Sequence, residues 1–245
     1  NITLKSNNKL LKKVVNLING SKKIVIIVGA GIKYNSKFKK VTRLAEYLDA
    51  PIVTAAGHGD AVPSGHPLNA GQMGPRGNLV ASQLVKETDV ILALGTRIGF
   101  NATFYSYDNI NRDAAIIQIE LDPTALGRYF PIAIGIWADA PTAALQLCDE
   151  VTRLEKRRIA DDWTATFKAD RRAFLAARDA EAITTANPIQ PSGLFKTLRD
   201  VLPTDAAITM DAGTLCLQAT DALNYWQPKS LFTPLDFGLV GFSYA

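Results

Sequence analysis

Cysteine is nearly absent from this chain. Cys148 and Cys216 are the only two and lie far apart, so neither a disulfide framework nor a zinc pattern can be built from them. Both fall in apolar helical stretches and are expected as small buried residues. No apolar run is long enough to span a bilayer. Asn1–Leu10 is polar and lacks the apolar stretch of a signal peptide. No membrane partner is therefore expected, and the expected location is the cytoplasm. Aromatic residues are 8% of the chain and do not interleave with its lysines as stacking platforms, so no nucleic-acid partner is expected. The sequence has no nucleophile elbow, no Walker loop and no paired-carboxylate motif. His58 and His66 have no cysteine or carboxylate at a ligand-like spacing and are read as loop residues, not as a metal site.

What is present is a chain of 245 residues, 47% hydrophobic and 20% charged, with a mean hydropathy of +0.05. That suits a globular protein of more than one domain. Residues 1–50 carry eleven basic residues against Glu46 and Asp49; the remainder carries 16 basic against 21 acidic. The lysines of the basic end are dispersed among apolar positions and are read as solvated helix faces. Composition also shifts from Lys and Asn early to Ala and Arg later, for which there is no physical account.

Hydrophobic periodicity orders the chain. Leu10, Leu11, Val14, Val15 and Ile18 recur at helical spacing up to Gly20. Ile24-Val-Ile-Ile-Val28 is a β-branched run suited to a buried parallel strand. Phe38, Val41, Leu44, Ala45 and Leu48 form an amphipathic helix before a second strand over Pro51–Ala55. A loop is expected from Gly57 to Gly77, then a helix capped by Asn78. Strands are expected at Val90–Leu94, Ala115–Leu121 and Ile132–Ile136. Asp139 and Pro141 start a helix carrying Ala144, Leu147, Cys148, Val151 and Leu154 on one face. Strands alternating with helices predict an α/β doubly wound parallel sheet. Residues 156–186 read as a helical linker with Trp163, Phe167 and Phe174 as a sparse apolar face. Asn187-Pro188 and Gln190-Pro191 mark a boundary. Beyond it a helix through Leu194, Phe195, Leu198 and Val201, a strand over Ala206–Met210 and Asp211-Ala-Gly213 open a second α/β unit that is not completed. The resulting division is 1–155, 156–186 and 187–245.

Gly29-Ala-Gly31 sits where a strand becomes a loop, as in phosphate-binding turns, but without the third glycine of that fingerprint. Its alternative is a tight turn with no ligand. Gly71-Gln-Met-Gly74-Pro-Arg76-Gly77-Asn78 precedes a helix, where an anion is favoured and Arg76 could add a bidentate contact. Its alternative is a rigid connection. Gly95-Thr96-Arg97 is another such corner. Gly29, Gly74, Gly95 and Asp122 share the carboxyl side of the sheet, which is the case for a nucleotide-like ligand. Both chain ends read as cut: Asn1 is not Met, and Phe237-Gly-Leu-Val-Gly-Phe-Ser-Tyr-Ala245 is apolar, so more chain is expected.

Together, Ile27-Val-Gly-Ala-Gly31, the loop His66-Pro-Leu-Asn-Ala-Gly71 with Gly74-Pro-Arg-Gly77, Asp89-Val-Ile-Leu-Ala-Leu-Gly-Thr-Arg97, and Ile117-Gln-Ile-Glu-Leu-Asp-Pro123 running to Trp137-Ala-Asp139 resemble the central domain of thiamine-diphosphate enzymes. That family includes acetolactate synthase, sulfoacetaldehyde acetyltransferase and benzoylformate decarboxylase. Met210-Asp-Ala-Gly213 and Phe237-Gly-Leu-Val-Gly-Phe242 are similar to the opening of its cofactor-binding domain. The resemblance implies that Gly213 and Thr214 approach the diphosphate of thiamine diphosphate (ThDP), that Gly238 offers a carbonyl to the 4′-amino group, and that Val240 is the apolar wedge bending the cofactor. It implies a parent enzyme that uses ThDP and Mg²⁺ on a small carbonyl substrate, as a homodimer or homotetramer. The family's activating glutamate and its Gly-Asp-Gly…Asn stretch do not occur in this sequence, so the chain by itself is expected to be inactive and to need further domains of the same protein. In some relatives the central domain holds FAD or an ADP-like group. The positions implied for it are Gly29, Gly31, Gly74, Arg76, Gly95, Thr96, Arg97, Asp122 and Asp139. Residues 98–103 depart from the more charged stretch of acetolactate synthases, which bears on flavin. Two other readings are a nucleotide-binding (ADP, FAD or NAD) or regulatory module, and a sirtuin-like NAD-dependent deacylase. The second lacks that family's Gly-Ile-Pro-Asp-Phe-Arg run and four zinc cysteines.

Overall fold

The centre of the molecule is a strand of five wholly buried residues, β1 (Ile24–Val28), every one of them β-branched. In the computed structural model, which describes residues 4–34, 38–153 and 162–244, the elements before and around it are α1 (Asn8–Asn19), α2 (Ala30–Lys33), α3 (Phe38–Leu48), β2 (Ile52–Thr54) and β3 (Asn69–Gln72). These are followed by α4 (Leu79–Glu87), β4 (Val90–Leu94), α5 (Phe100–Thr103), β5 (Ala115–Glu120), β6 (Ile134–Trp137) and α6 (Ala140–Arg153). Six parallel strands make one sheet in the order β3-β2-β1-β4-β5-β6. The order reverses at β1, which makes this a doubly wound α/β sheet, as the strand–helix alternation predicts.

The local signals hold where the chemistry is strong. Gly20 closes α1, its N–H bonding the Asn16 carbonyl at 3.2 Å. Asn78 caps α4 by accepting from the Ala81 N–H at 2.8 Å. Asp139 caps α6 by accepting from the Thr142 N–H at 3.1 Å. Cys148 and Cys216 are buried and free. Leu154 and the first residues of the charged linker lie outside the described residues. The expected loop over Gly57–Gly77 is corrected: it contains β3, Asn69-Ala-Gly-Gln72, paired to β2. No β-branched or aromatic residue marks that strand, which is held in place by the edge it joins.

α7 (Asp162–Ala180) lies on the central unit, with Phe167 buried in its core and the Thr164 hydroxyl bonding the Asp49 carbonyl at 2.6 Å. Then come α8 (Pro191–Val201), β7 (Ile208–Thr209), α9 (Thr214–Ala222) and β8 (Leu231–Phe232). β7 and β8 pair in parallel as a two-stranded sheet with its own small core around Phe195, Leu223, Tyr225 and Leu231. The expected strand over Ala206–Met210 is thus confined to two residues. No helix among the described residues is long and apolar enough to cross a membrane.

Two crossover corners of the main sheet touch backbone to backbone. The Gly31 N–H bonds the Gly95 carbonyl at 3.0 Å, and a Cβ on Gly95 would meet Gly31 Cα at 2.7 Å. Gly95 also has φ +61, the left-handed region. Gly95→Ala is expected to destabilise the fold by at least about 1–2 kcal/mol from conformation alone, with the clash adding to it. An unchanged urea midpoint for that variant would refute this account of the corner.

Candidate functional site

The carboxyl ends of β1, β2, β4 and β5 open on a cavity of about 400 Å³, closed on its far side by residues 233–237, which follow β8. Of the positions singled out in the sequence, Gly31, Gly95, Thr96, Arg97 and Asp122 line it. Gly29, Gly74, Arg76 and Asp139 are not among its lining residues. Each of these four has another place in the fold. A Cβ on Gly29 would lie 2.7 Å from the Gly95 carbonyl oxygen, and one on Gly74 (φ +102) would lie 2.6 Å from that of Ala102. Arg76 stacks on Phe104, 5.1 Å from the ring centroid. Asp139 is engaged in capping α6. The cavity also gathers residues that the sequence reading did not put forward as ligand contacts: His58, Asn101, Glu120 and Asp236. His58 and Glu120 sit just beyond or at the end of a strand, a positional signal that the motif search did not use.

Arg97 is the one Lys or Arg among the described residues that line the cavity, against Glu120, Asp122 and Asp236. Arg97 Nη2 lies 3.0 Å from Asp236 Oδ2. Asn101 Nδ2 donates to Asp236 Oδ1 at 3.1 Å and to the Leu235 carbonyl at 3.3 Å. The Asp122 carboxyl is held below the usual range by the Thr124 hydroxyl and N–H. His58 is pushed down to about 4, first by burial and then by Lys33, with Asp236 opposing and Arg97 adding to the depression. Its imidazole is therefore neutral at pH 7, and its Nδ1 has no hydrogen-bond partner among the described residues.

A second constellation lies at the end of β7. Gly213 (φ +138) precedes α9, whose N-terminus has no side-chain cap, and open space surrounds the glycine. The Asp211 carboxylate accepts from the Gly241 N–H at 3.0 Å and the Ser243 N–H at 2.7 Å. These bonds hold its carboxyl below the usual range. The Ala212 N–H bonds the Leu239 carbonyl at 3.2 Å. The Gly213–Thr214 turn is thereby tied to the stretch with Gly238 and Val240. Gly238 (φ +63) is open, and Val240 is 83% exposed. An uncapped helix start beside an unobstructed glycine fits a diphosphate, and the exposed Val240 offers an apolar surface to an aromatic ring. No group of three His, Cys, Asp or Glu that could hold a metal ion occurs among the described residues.

Residues 11–147 match the family described as thiamine pyrophosphate enzyme, central domain. The chain belongs to the thiamine pyrophosphate enzyme family. It is 30% identical over 257 residues to a sulfoacetaldehyde acetyltransferase of Alcaligenes xylosoxydans, covering 95% of this chain and 42% of that protein. It is 29% identical to a sulfoacetaldehyde acetyltransferase of Castellaniella defragrans, covering 90% and 40%. It is 26% identical to a probable acetolactate synthase large subunit of Methanocaldococcus jannaschii, covering 96% and 40%. The chain thus spans about two fifths of the length of these curated relatives.

In this thiamine pyrophosphate enzyme chain a buried ion pair joins the central unit to β8. Lys33, expected on a solvated helix face, is instead enclosed. Its Nζ is 3.3 Å from Asp60 Oδ1, with the side chains 2% and 0% exposed, and it donates to the Leu231 carbonyl. Asp60 Oδ2 accepts from the Ser230 and Leu231 N–H groups at 3.0 and 3.1 Å. Burial pushes the Lys33 ammonium down and the Asp60 carboxyl up, and each group opposes the other's shift. The pair fastens β8, and so the segment that follows it, to the central sheet.

Proposed function

We propose that this chain is the central domain and the opening of the cofactor-binding domain of an enzyme that uses ThDP and Mg²⁺ to make or break a C–C bond next to a carbonyl. The reaction is of the acetyltransferase, acetolactate synthase or 2-oxo acid decarboxylase kind. The observation that carries this reading is the Asp211 carboxylate, which bonds both Gly241 and Ser243. It brings the Gly213 turn and the Gly238–Val240 stretch to one surface, and these match the family's diphosphate and aminopyrimidine positions. When bound, the cofactor supplies the nucleophilic carbon and the electron sink; the protein supplies orientation and electrostatics. Gly213 and Thr214 present the turn to the diphosphate. Gly238 would offer its carbonyl to the 4′-amino group, and Val240 would give the cofactor an apolar surface to pack on. The division at 155 and 187 follows from this reading, as do the remaining domains of the same protein and a parent homodimer or homotetramer in the cytoplasm. The cavity beside Arg97 is the place for FAD or an ADP-like group.

The test is a titration of ThDP and Mg²⁺ into the 245-residue chain, read by amide NMR, with a parallel assay for CO₂ release from pyruvate. The amides of Gly213, Thr214 and Gly238 are expected to shift, and no CO₂ is expected. A spectrum unmoved at millimolar ThDP would overturn the cofactor assignment. CO₂ release above the cofactor-only rate would overturn the inactivity of the isolated chain.

A further inference from the structure

The central cavity and the cofactor segment share one side chain. Arg97 is the single Lys or Arg among the described cavity residues, and its guanidinium is already bound to Asp236 at 3.0 Å. Asp236 is the residue before Phe237-Gly238, and Asn101 bonds it and Leu235 from the same side. The two charged side chains are 55% and 51% exposed. At that exposure an ion pair is weak and is readily exchanged for a stronger anion. The lining otherwise offers only the carboxylates Glu120 and Asp122 and a neutral His58. A phosphate entering the cavity therefore has Arg97 as its one cationic partner among the described lining residues, and must take it from Asp236.

We propose that Arg97 is a positioning residue for the segment 237–241, and that a phosphate-bearing ligand in the central cavity competes with Asp236 for it and so loosens that segment. That the loosened segment is the aminopyrimidine site rests on the reading under Proposed function. The competition itself does not. Because the two partners of Arg97 exclude one another, the coupling is reciprocal: removing Asp236 strengthens the phosphate ligand as much as the ligand weakens the segment.

The experiment is hydrogen exchange of the Gly238 amide, which bonds the Pro234 carbonyl at 2.8 Å, in the whole 245-residue chain. It is run with ADP as probe and adenosine as control, alongside ADP affinity by calorimetry. Saturating ADP is expected to speed exchange at Gly238 by roughly two- to fivefold, the range an exposed ion pair allows, and adenosine is expected to leave it unchanged. The near-isosteric Asp236→Asn should exchange faster without ligand, should no longer respond to ADP, and should bind ADP more tightly by a similar factor. Arg97→Gln should exchange fast and bind ADP poorly, and Arg97→Lys should recover part of both. Equal ADP affinity in the wild type and Asp236→Asn, or no ADP binding by either, overturns the proposal. So does an equal response to adenosine. A ThDP arm keeps the two readings apart: if ThDP gives Gly238 and Gly241 no protection while the ADP effects appear, the cofactor assignment fails and the competition for Arg97 stands.

Discussion

Lys33→Met is expected to lower the unfolding free energy by about 3–5 kcal/mol, the usual cost of leaving one member of a buried pair uncompensated. The position is demanding because Asp60 is fully enclosed and its Oδ1 faces the ammonium at 3.3 Å without a hydrogen bond of its own. Without Lys33 only backbone N–H bonds, chiefly that of Leu231, still oppose the upward push of burial on the Asp60 carboxyl. The double variant Lys33→Met with Asp60→Asn separates charge from packing. Asparagine retains an acceptor for the Ser230 and Leu231 N–H groups but has no charge to strand. The double variant is expected to be more stable than Lys33→Met alone, with a coupling inside the roughly 0.5–3 kcal/mol typical of contacting residues. Urea unfolding of wild type, the Lys33→Met and Asp60→Asn single variants and the double variant measures it. A Lys33→Met protein within about 1 kcal/mol of wild type would mean that the pair does not fasten β8.

Stability should also fall steeply in mild acid because of His58. In the fold this imidazole stays neutral down to about 4, whereas in the unfolded chain it takes a proton near its ordinary 6.5. Between those values the unfolded state binds more protons, so stability is full above pH 6.5 and is lost as the pH drops toward 4. From pH 7.5 to 4.5 the loss from this one group is about 2.5 kcal/mol. His58→Asn should remove it. Wild type and variant should therefore differ in the pH slope of their unfolding free energy, whatever their difference at neutral pH. An NMR titration gives a direct check: a His58 ring that titrates near 6.5 in the folded protein would show that it is not held as described.

The sheet was legible wherever burial on both faces forced a continuous apolar run. Ile24–Val28 and Val90–Leu94 needed nothing beyond their own residues, and Asn78 and Asp139 announced their helices through a cap. β3 was not legible, because Asn69-Ala-Gly-Gln72 becomes a strand only through the edge that it joins. The site was half legible. Glycines and Arg97 at strand ends pointed to the side of the sheet on which the cavity lies. The same reasoning also put forward Arg76, whose guanidinium lies on the Phe104 ring instead. Lys33 was misjudged. A lysine two residues past a glycine turn looks solvated until the second unit is placed over it. Lys33 is bonded to Leu231, 198 positions away, and no local pattern carries that information.

The two touching corners, Gly31 and Gly95, bear on how this scaffold could change its ligand over evolutionary time. That part of the cavity wall is peptide backbone, and a Cβ added to either glycine collides with the other's main chain. Single substitutions are closed there, whatever advantage they would bring. Variation is left to other wall residues, among them Tyr34, Arg97, Asn101, Glu120 and Asp122. Descendants of this chain would keep the same backbone surface and differ in what those side chains accept, so new ligand preferences would arise by re-lettering the rim around a fixed backbone floor.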